Sequence, residues 1–334
     1  MTIASKPSTD PPDTVLSIQY LRGAAALGVV ASHAAHGTFE IGASGVDVFF
    51  VISGFIMWGV PAKRRQTPGQ FLKARAIRVA PPYLGLTLLA ALGIVLLPGL
   101  FNHAVLTPRH LLLSLLFIPH HDPYGSLFPV LIPGWTLTYE MYFYGLFGLG
   151  LASPRRWRGM AICGALLALV GAGALFGPFD FAAATTYTSP LLLEFAAGIV
   201  LARWRLSTRL GVPALLAGLV ALACWQWLVG VASPNGMLRL LAWGLPAALL
   251  VAGALSLETA LRAKPLALPL RLGGASYGIY LTHVFVLAAL FKLGLPDDGW
   301  ILAIPVGLAA SALAGTAWWK LVEVPLTRLA RRVI

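Results

Sequence analysis

The run Ile18-Gln19-Tyr20-Leu21-Arg22-Gly23-Ala24 opens an apolar stretch that continues through Val30-Ala31-Ser32-His33. An arginine and a histidine in a stretch long enough to cross a bilayer are costly there, and by default they mark a functional site. Their spacing of eleven residues, at about 100° each, returns to nearly the same helix face. It also climbs roughly 16 Å along the axis. One face is thus expected to carry a fixed cation at one depth and a titratable base at another.

The rest of the chain agrees with a membrane setting. Its 334 residues are 58% hydrophobic and only 11% charged, with a mean hydropathy of +0.81. Soluble domains carry about twice that charged fraction. The expected fold class is an all-α polytopic membrane helix bundle. Ten segments are expected, near 15–37, 44–60, 83–101, 131–152, 159–177, 187–203, 210–230, 238–256, 272–293 and 300–322. Residues 1–14, with Pro7, Pro11 and Pro12, read as a disordered tail. They do not read as a cleavable leader, because the next segment is too long and no small-residue cleavage site follows it. Residues 15–326 form the membrane domain, and 327–334 form a basic tail.

The net charge of +12 is explained by topology and anionic lipid headgroups, not by nucleic acid. Of the 24 Lys and Arg, only Arg109 and Arg239 fall on the loops of one side, and Arg22 and Lys292 fall within segments. All the others gather on the opposite loops and termini. That asymmetry places both termini in the cytoplasm. The loop at 61–82 is cytoplasmic and basic, and its piece from Phe71 to Pro82 reads as a short amphipathic helix ended by Pro81-Pro82. The loop at 102–133 lies on the outer side with His103, His110, His120, His121 and Asp122. Its apolar piece 109–118 is too short to span and is expected as a re-entrant or surface helix. These loop histidines read as solvated, with His120-His121 able to touch a substrate. Cys163 and Cys224 lie at different depths, which argues against a disulfide, and no metal-ligand spacing occurs.

Several motifs resemble those of the membrane acyltransferase-3 family, in that family's order. Gln19-Tyr20-Leu21-Arg22-Gly23 followed by His33 resembles its R-x10-H motif, and Gly45 to Phe55 resembles its second-helix signature. Arg75-Ala76-Ile77-Arg78 before Pro81 is similar to its R-x-x-R loop. Trp135-Thr136-Leu137-Thr138-Tyr139-Glu140 resembles its W-[ST]-L-x-x-E box. Ser276 to His283 and Glu323-Val324-Pro325 are similar to its late motifs. The resemblance spans residues 16 to 325, lacks any fused esterase-like domain, and leans towards single-domain members that acylate bacterial exopolysaccharides. It implies a multi-pass protein of the bacterial inner membrane. The implied reaction is O-acyl transfer from a cytoplasmic acyl-CoA, acetyl-CoA first and succinyl-CoA as the alternative, to a hydroxyl of an exopolysaccharide or lipid-linked glycan. Membrane lipids are its other partners, no metal is implied, and self-association is left open. A transporter or flippase of lipid-linked glycans is the alternative, although no internal repeat supports it.

Within that reading His33 is the general base that removes the hydroxyl proton, since imidazole titrates in the range this task needs. His36, one turn further out, is its competitor and otherwise a substrate contact. Glu140 or Asp47 is expected to orient His33, as a carboxylate does in a catalytic dyad. Arg75 and Arg78 share a helix face and suit the phosphates of CoA, because guanidinium binds phosphate bidentately; ordinary cytoplasmic charge is the other explanation. Arg22 either guides the same ligand or pairs with Glu323. Ser53 borders the donor path and is the alternative nucleophile, with direct transfer preferred. Tyr277, Tyr280 and His283 line a donor tunnel or pack the bundle. Trp135 and Tyr139 form an aromatic platform for a sugar or part of the interfacial belt. Gly45 and Gly54 read as close-packing positions.

Overall fold

The computed structural model describes residues 14–36, 38–63, 66–97, 105–204, 206–230, 233–296 and 300–332, and these form helices and connecting turns without a strand. The tail expected at 1–14 lies outside the described residues except for Thr14, as do His103, Arg64, Arg65, Arg205 and residues 333–334. The helices are α1 (Leu16–Ala34), α2 (Gly45–Lys63), α3 (Pro68–Leu96), α4 (Pro108–Leu115), α5 (Gly134–Gly150), α6 (Arg155–Phe176), α7 (Ala182–Tyr187) and α8 (Leu192–Arg203). They continue with α9 (Thr208–Val229), α10 (Gly236–Arg239), α11 (Leu245–Ser256), α12 (Glu258–Ala263), α13 (Ala267–Lys292), α14 (Trp300–Trp318) and α15 (Val324–Arg332). A π turn at Leu240–Gly244 joins α10 to α11, and another at Trp319–Glu323 joins α14 to α15.

Among the described residues, eight helical stretches are long and apolar enough to cross a membrane. Leu88, Leu89 and Leu92 on α3 and Leu216, Leu219 and Val220 on α9 point out of the bundle, a surface suited to lipid rather than water. Two of the ten expected segments are not among the eight. One is α1, whose 19 residues are diluted by Gln19, Arg22 and His33. The other is α5, which has 17 residues against the roughly 20 a span needs.

The region around the proline pair departs from expectation. No short helix ends there; α3 runs unbroken for 29 residues through Pro81 and Pro82. The two prolines remove amide donors and free the carbonyls one turn back, at Ile77 and Arg78. Thr67 starts this helix with a reciprocal capping box to Gln70. In a membrane the flanking helices can support such a break in the ladder, and Tyr277 on α13 donates its hydroxyl to the Val79 carbonyl at 2.7 Å. The segment expected near 187–203 is also divided, into α7 and α8. Residues 327–332, expected as tail, continue α15.

Close helix crossings set the frame. A Cβ at Gly54 would lie 2.0 Å from the Phe195 carbonyl oxygen, and one at Gly198 would lie 2.0 Å from that of Val51. Helices α2 and α8 therefore touch backbone to backbone, as small residues allow in membranes. α1 packs along α13, and its start is held from outside by Glu258. That carboxylate accepts from the amides of Leu16 (3.0 Å) and Ser17 (2.8 Å) and from the Ser17 hydroxyl (2.7 Å). Burial alone would raise the Glu258 carboxyl, but the Ser17 and Leu16 hydrogen bonds and nearby Arg262 hold it below the usual carboxylate range.

Candidate active site

Two cavities lie inside this frame. One, of about 700 Å³, is lined by His33, His36, His120, Trp135, Tyr139, Arg239 and His283 among others. The second, of about 780 Å³, is lined by Arg22, Ser53, Arg78, Glu140, Tyr144, Tyr277, Glu323 and Arg328 among others. We refer to them as the histidine cavity and the arginine cavity. Arg22 and His33 thus occupy one helix and serve two different cavities, as their spacing along α1 allows.

In the histidine cavity, His33 is exposed to the open space. Its Nδ1 lies 2.9 Å from the Val29 carbonyl oxygen. A carbonyl can only accept, so Nδ1 carries a proton, and in the neutral ring Nε2 is the nitrogen that bears the lone pair. His283 repeats the pattern: it is buried, and its Nδ1 donates to the Tyr280 carbonyl at 2.6 Å. Its Nε2 is buried without a partner. His36 lines the same cavity just beyond the end of α1, with its ring edge on Phe291 at 4.4 Å and φ at +42°.

The carboxylate expected beside His33 is not there. Asp47 is fully buried and bound on both oxygens by Arg239, with Nε at 3.1 Å and Nη2 at 2.9 Å. Glu140 lines the arginine cavity, where it accepts from Ser53 Oγ at 3.3 Å and from the Tyr144 hydroxyl. The Val29 carbonyl takes the orienting position instead. The misreading has a simple cause: depth along a helix was legible in the sequence, but the direction each side chain faces was not.

Arg78 lines the arginine cavity; Arg75 is not part of its wall. Arg75 lies over the Phe71 ring at 5.6 Å, and its Nε is buried without a partner. Arg22, Glu323 and Tyr277 reach the cavity, while no ion pair joins Arg22 to Glu323 among the described residues. Of the late tyrosines, Tyr277 belongs to the arginine cavity and Tyr280 to both cavities. Trp135 and Tyr139 meet edge to face at 5.9 Å on the histidine cavity.

Several residues of this region escaped the sequence reading. Arg239, counted there only as a loop charge, stands over the rings of Trp135 (5.5 Å) and Trp243 (5.0 Å). Glu194 on α8 is fully buried near Asp47 and Arg239. An acid inside an apolar segment was the available signal, and the rule that singled out Glu140 applies equally to it. The loop histidines also differ from expectation. His110 and His120 are buried and hydrogen-bonded, Nδ1 to Nε2 at 2.7 Å, and His120 borders the histidine cavity. Burial and then the His120 ring push His110 below the usual histidine range. Among the described loop histidines only His121 is exposed, bonded to the Gly125 and Asp180 carbonyls.

Comparison with known proteins gives the site a context. A family profile described as an acyltransferase domain matches residues 15–319. The exopolysaccharide production protein ExoZ of Rhizobium meliloti (strain 1021) is 43% identical over 90% of this chain and 95% of its own. The acyltransferase MdmB of Streptomyces mycarofaciens is 28% identical over 95% of this chain and 92% of its own. Nodulation protein 10 of Rhizobium leguminosarum bv. viciae is 27% identical over 86% of this chain and 83% of its own. No solved structure matches.

Proposed function

This chain belongs to the acyltransferase family, and from that premise we propose that it is an integral-membrane O-acyltransferase. It moves an acyl group, acetyl first, from acyl-CoA to a hydroxyl of an exopolysaccharide or its lipid-linked unit. The observation that carries this reading is the His33 imidazole, open to a cavity and fixed by the Val29 carbonyl as an Nε2 base. The name of the relative ExoZ supports a polysaccharide acceptor.

Ten membrane segments with both termini in the cytoplasm fit the charge asymmetry. The arginine cavity then opens to the cytoplasm of a bacterial inner membrane, and the histidine cavity opens outward. Arg22, Arg78 and Arg328 supply a cationic wall for the phosphates of CoA. Glu140, held by Ser53 and Tyr144, keeps that wall from being purely cationic and ties α5 to α2. Tyr277 completes the donor side. On the other side Trp135 and Tyr139 offer aromatic faces to a sugar, and Arg239, pinned by Asp47, lies over the Trp135 ring and lines the same cavity. His36 contacts the acceptor nearer the opening.

The chemistry follows from the base. The acceptor hydroxyl donates to His33 Nε2. As its oxygen attacks the thioester carbonyl, the proton passes to Nε2. The tetrahedral intermediate collapses, the C–S bond breaks, and His33 returns the proton to the departing thiolate. The products are an ester and CoA thiol, with no acyl-enzyme.

The test is purified protein in lipid nanodiscs, given acetyl-CoA with and without a lipid-linked glycan extract. Release of free CoA that requires both the extract and His33 supports the assignment. Equal release from His33→Ala removes it.

A further inference from the structure

Tyr280 and Val46 line both cavities. The partition is therefore about one side chain thick, with a ring from α13 on one side and a valine from α2 on the other. The ring is held across it. Phe49 meets it edge-on at 5.8 Å, and the hydroxyl lies 3.1 Å from Thr136 Oγ1 and 3.3 Å from the Pro133 carbonyl. Both anchors are at the start of α5 and just before it.

The proposed donor site and the proposed base lie on opposite sides of this partition. A thioester whose nucleotide is held by Arg22 and Arg78 has to bring its carbonyl past Tyr280 to reach His33. The acyl group leads, so the whole acyl chain passes first. We propose that Tyr280 is the specificity-determining residue for the acyl group, its ring admitting narrow unbranched acyl groups and excluding branched or aromatic ones. This inference rests on the acyl-CoA reading above. A methylene too many in a restrictive apolar site is worth about 10- to 200-fold in discrimination, so one ring can set the preference.

The experiment gives nanodisc protein and glycan extract acetyl-, isobutyryl- and benzoyl-CoA and reads CoA release for each. Tyr280→Ala should raise the benzoyl-to-acetyl ratio of kcat/KM by about tenfold or more. Val46→Ala, which widens the passage from the other side, should raise it by a smaller factor. Tyr280→Phe keeps the ring and drops both hydroxyl contacts, and should hold the ratio near that of the wild type. A second readout needs no turnover. Butyryl-CoA with a diazirine at its acyl end is photolysed on each protein and the labelled peptides are mapped. Label on Trp135 and its neighbours should increase in Tyr280→Ala relative to label on the arginine-cavity residues Ile52 and Ile56. An unchanged acyl ratio in active variants overturns the proposal, and so does an unchanged label distribution. If excess CoA suppresses no label on the wild type, the donor reading itself falls, and the proposal falls with it.

Discussion

His33 and His283 stand side by side with ring centroids 4.9 Å apart, and each turns its Nδ1 to a carbonyl of its own helix. Each ring therefore commits its Nδ1 to its own helix and leaves Nε2 as the nitrogen available at one cavity. The pair contains no donor for the buried lone pair of His283. A buried acceptor without a donor costs about 1–3 kcal/mol, and an incoming hydroxyl can remove that cost.

His33→Ala should lower acyl transfer by about 10²- to 10⁴-fold, the usual contribution of a general base. The protein should still purify as a folded membrane protein. His36→Ala should retain measurable turnover. CoA release by both variants against the same glycan extract makes the comparison, and full activity in His33→Ala would end the assignment.

His283→Phe keeps a ring of similar shape and deletes the orphaned lone pair. Thermal stability in detergent should be equal to or above that of the wild type. The acceptor KM should rise while the acyl-CoA KM stays put. A rise confined to the acyl-CoA KM would move His283 to the donor side.

Asp47 and Arg239 form a buried bidentate pair. Removing one partner strands the other charge, at about 3–5 kcal/mol. Asp47→Asn and Arg239→Gln should each lower the melting temperature sharply, and the double variant should recover part of the loss. The pH–rate profile of surviving Asp47→Asn enzyme should match that of the wild type, because Asp47 makes no hydrogen bond to His33. A shifted profile would restore the carboxylate–histidine partnership.

Arg78→Ala should raise the acyl-CoA KM at least tenfold, the scale of one charged hydrogen bond, with a smaller change in kcat. Arg75→Ala should change KM much less, since its guanidinium lies over Phe71 and is not among the groups that line the cavity. Initial rates over an acyl-CoA titration separate the two.

Glu258 titrates below the ordinary carboxylate range. A group whose folded value is depressed stabilises fully above its unfolded value, and that stability is lost as pH falls through the folded one. The wild type should therefore lose melting temperature on acidification more steeply than Glu258→Gln. At neutral pH the substitution should cost about 1 kcal/mol, the scale of a lost helix cap. Parallel pH–melting curves would show it.

The helical bundle was legible because it rests on a local signal, the long apolar runs. Polar residues in apolar runs singled out Arg22, His33 and Glu140, all of which line one of the two cavities. Close packing at Gly45 and Gly54 was legible too: a Cβ at Gly45 would lie 2.3 Å from the Ala25 carbonyl oxygen. Contacts between distant helices were not legible. Arg239 and Asp47 are 192 residues apart, and nothing in either segment names the other. The division of one arginine pair between a cavity and Phe71, and the passage of α3 through two prolines, depend on neighbours that sequence spacing does not reveal. The two segments that fell short of an ordinary membrane span, α1 and α5, carry His33, Arg22, Trp135 and Glu140. The polar residues dilute α1, while α5 with 17 residues is about one turn short of a span.

Because α1 is one uninterrupted helix, clamped at its start by Glu258, it works as a ruler. The distance from Arg22 to His33 is built into a single helix and does not depend on how two separate elements happen to dock. One extra residue between Arg22 and His33 would lengthen it by about 1.5 Å and swing the imidazole by about 100°, leaving both side chains chemically intact and the measurement wrong.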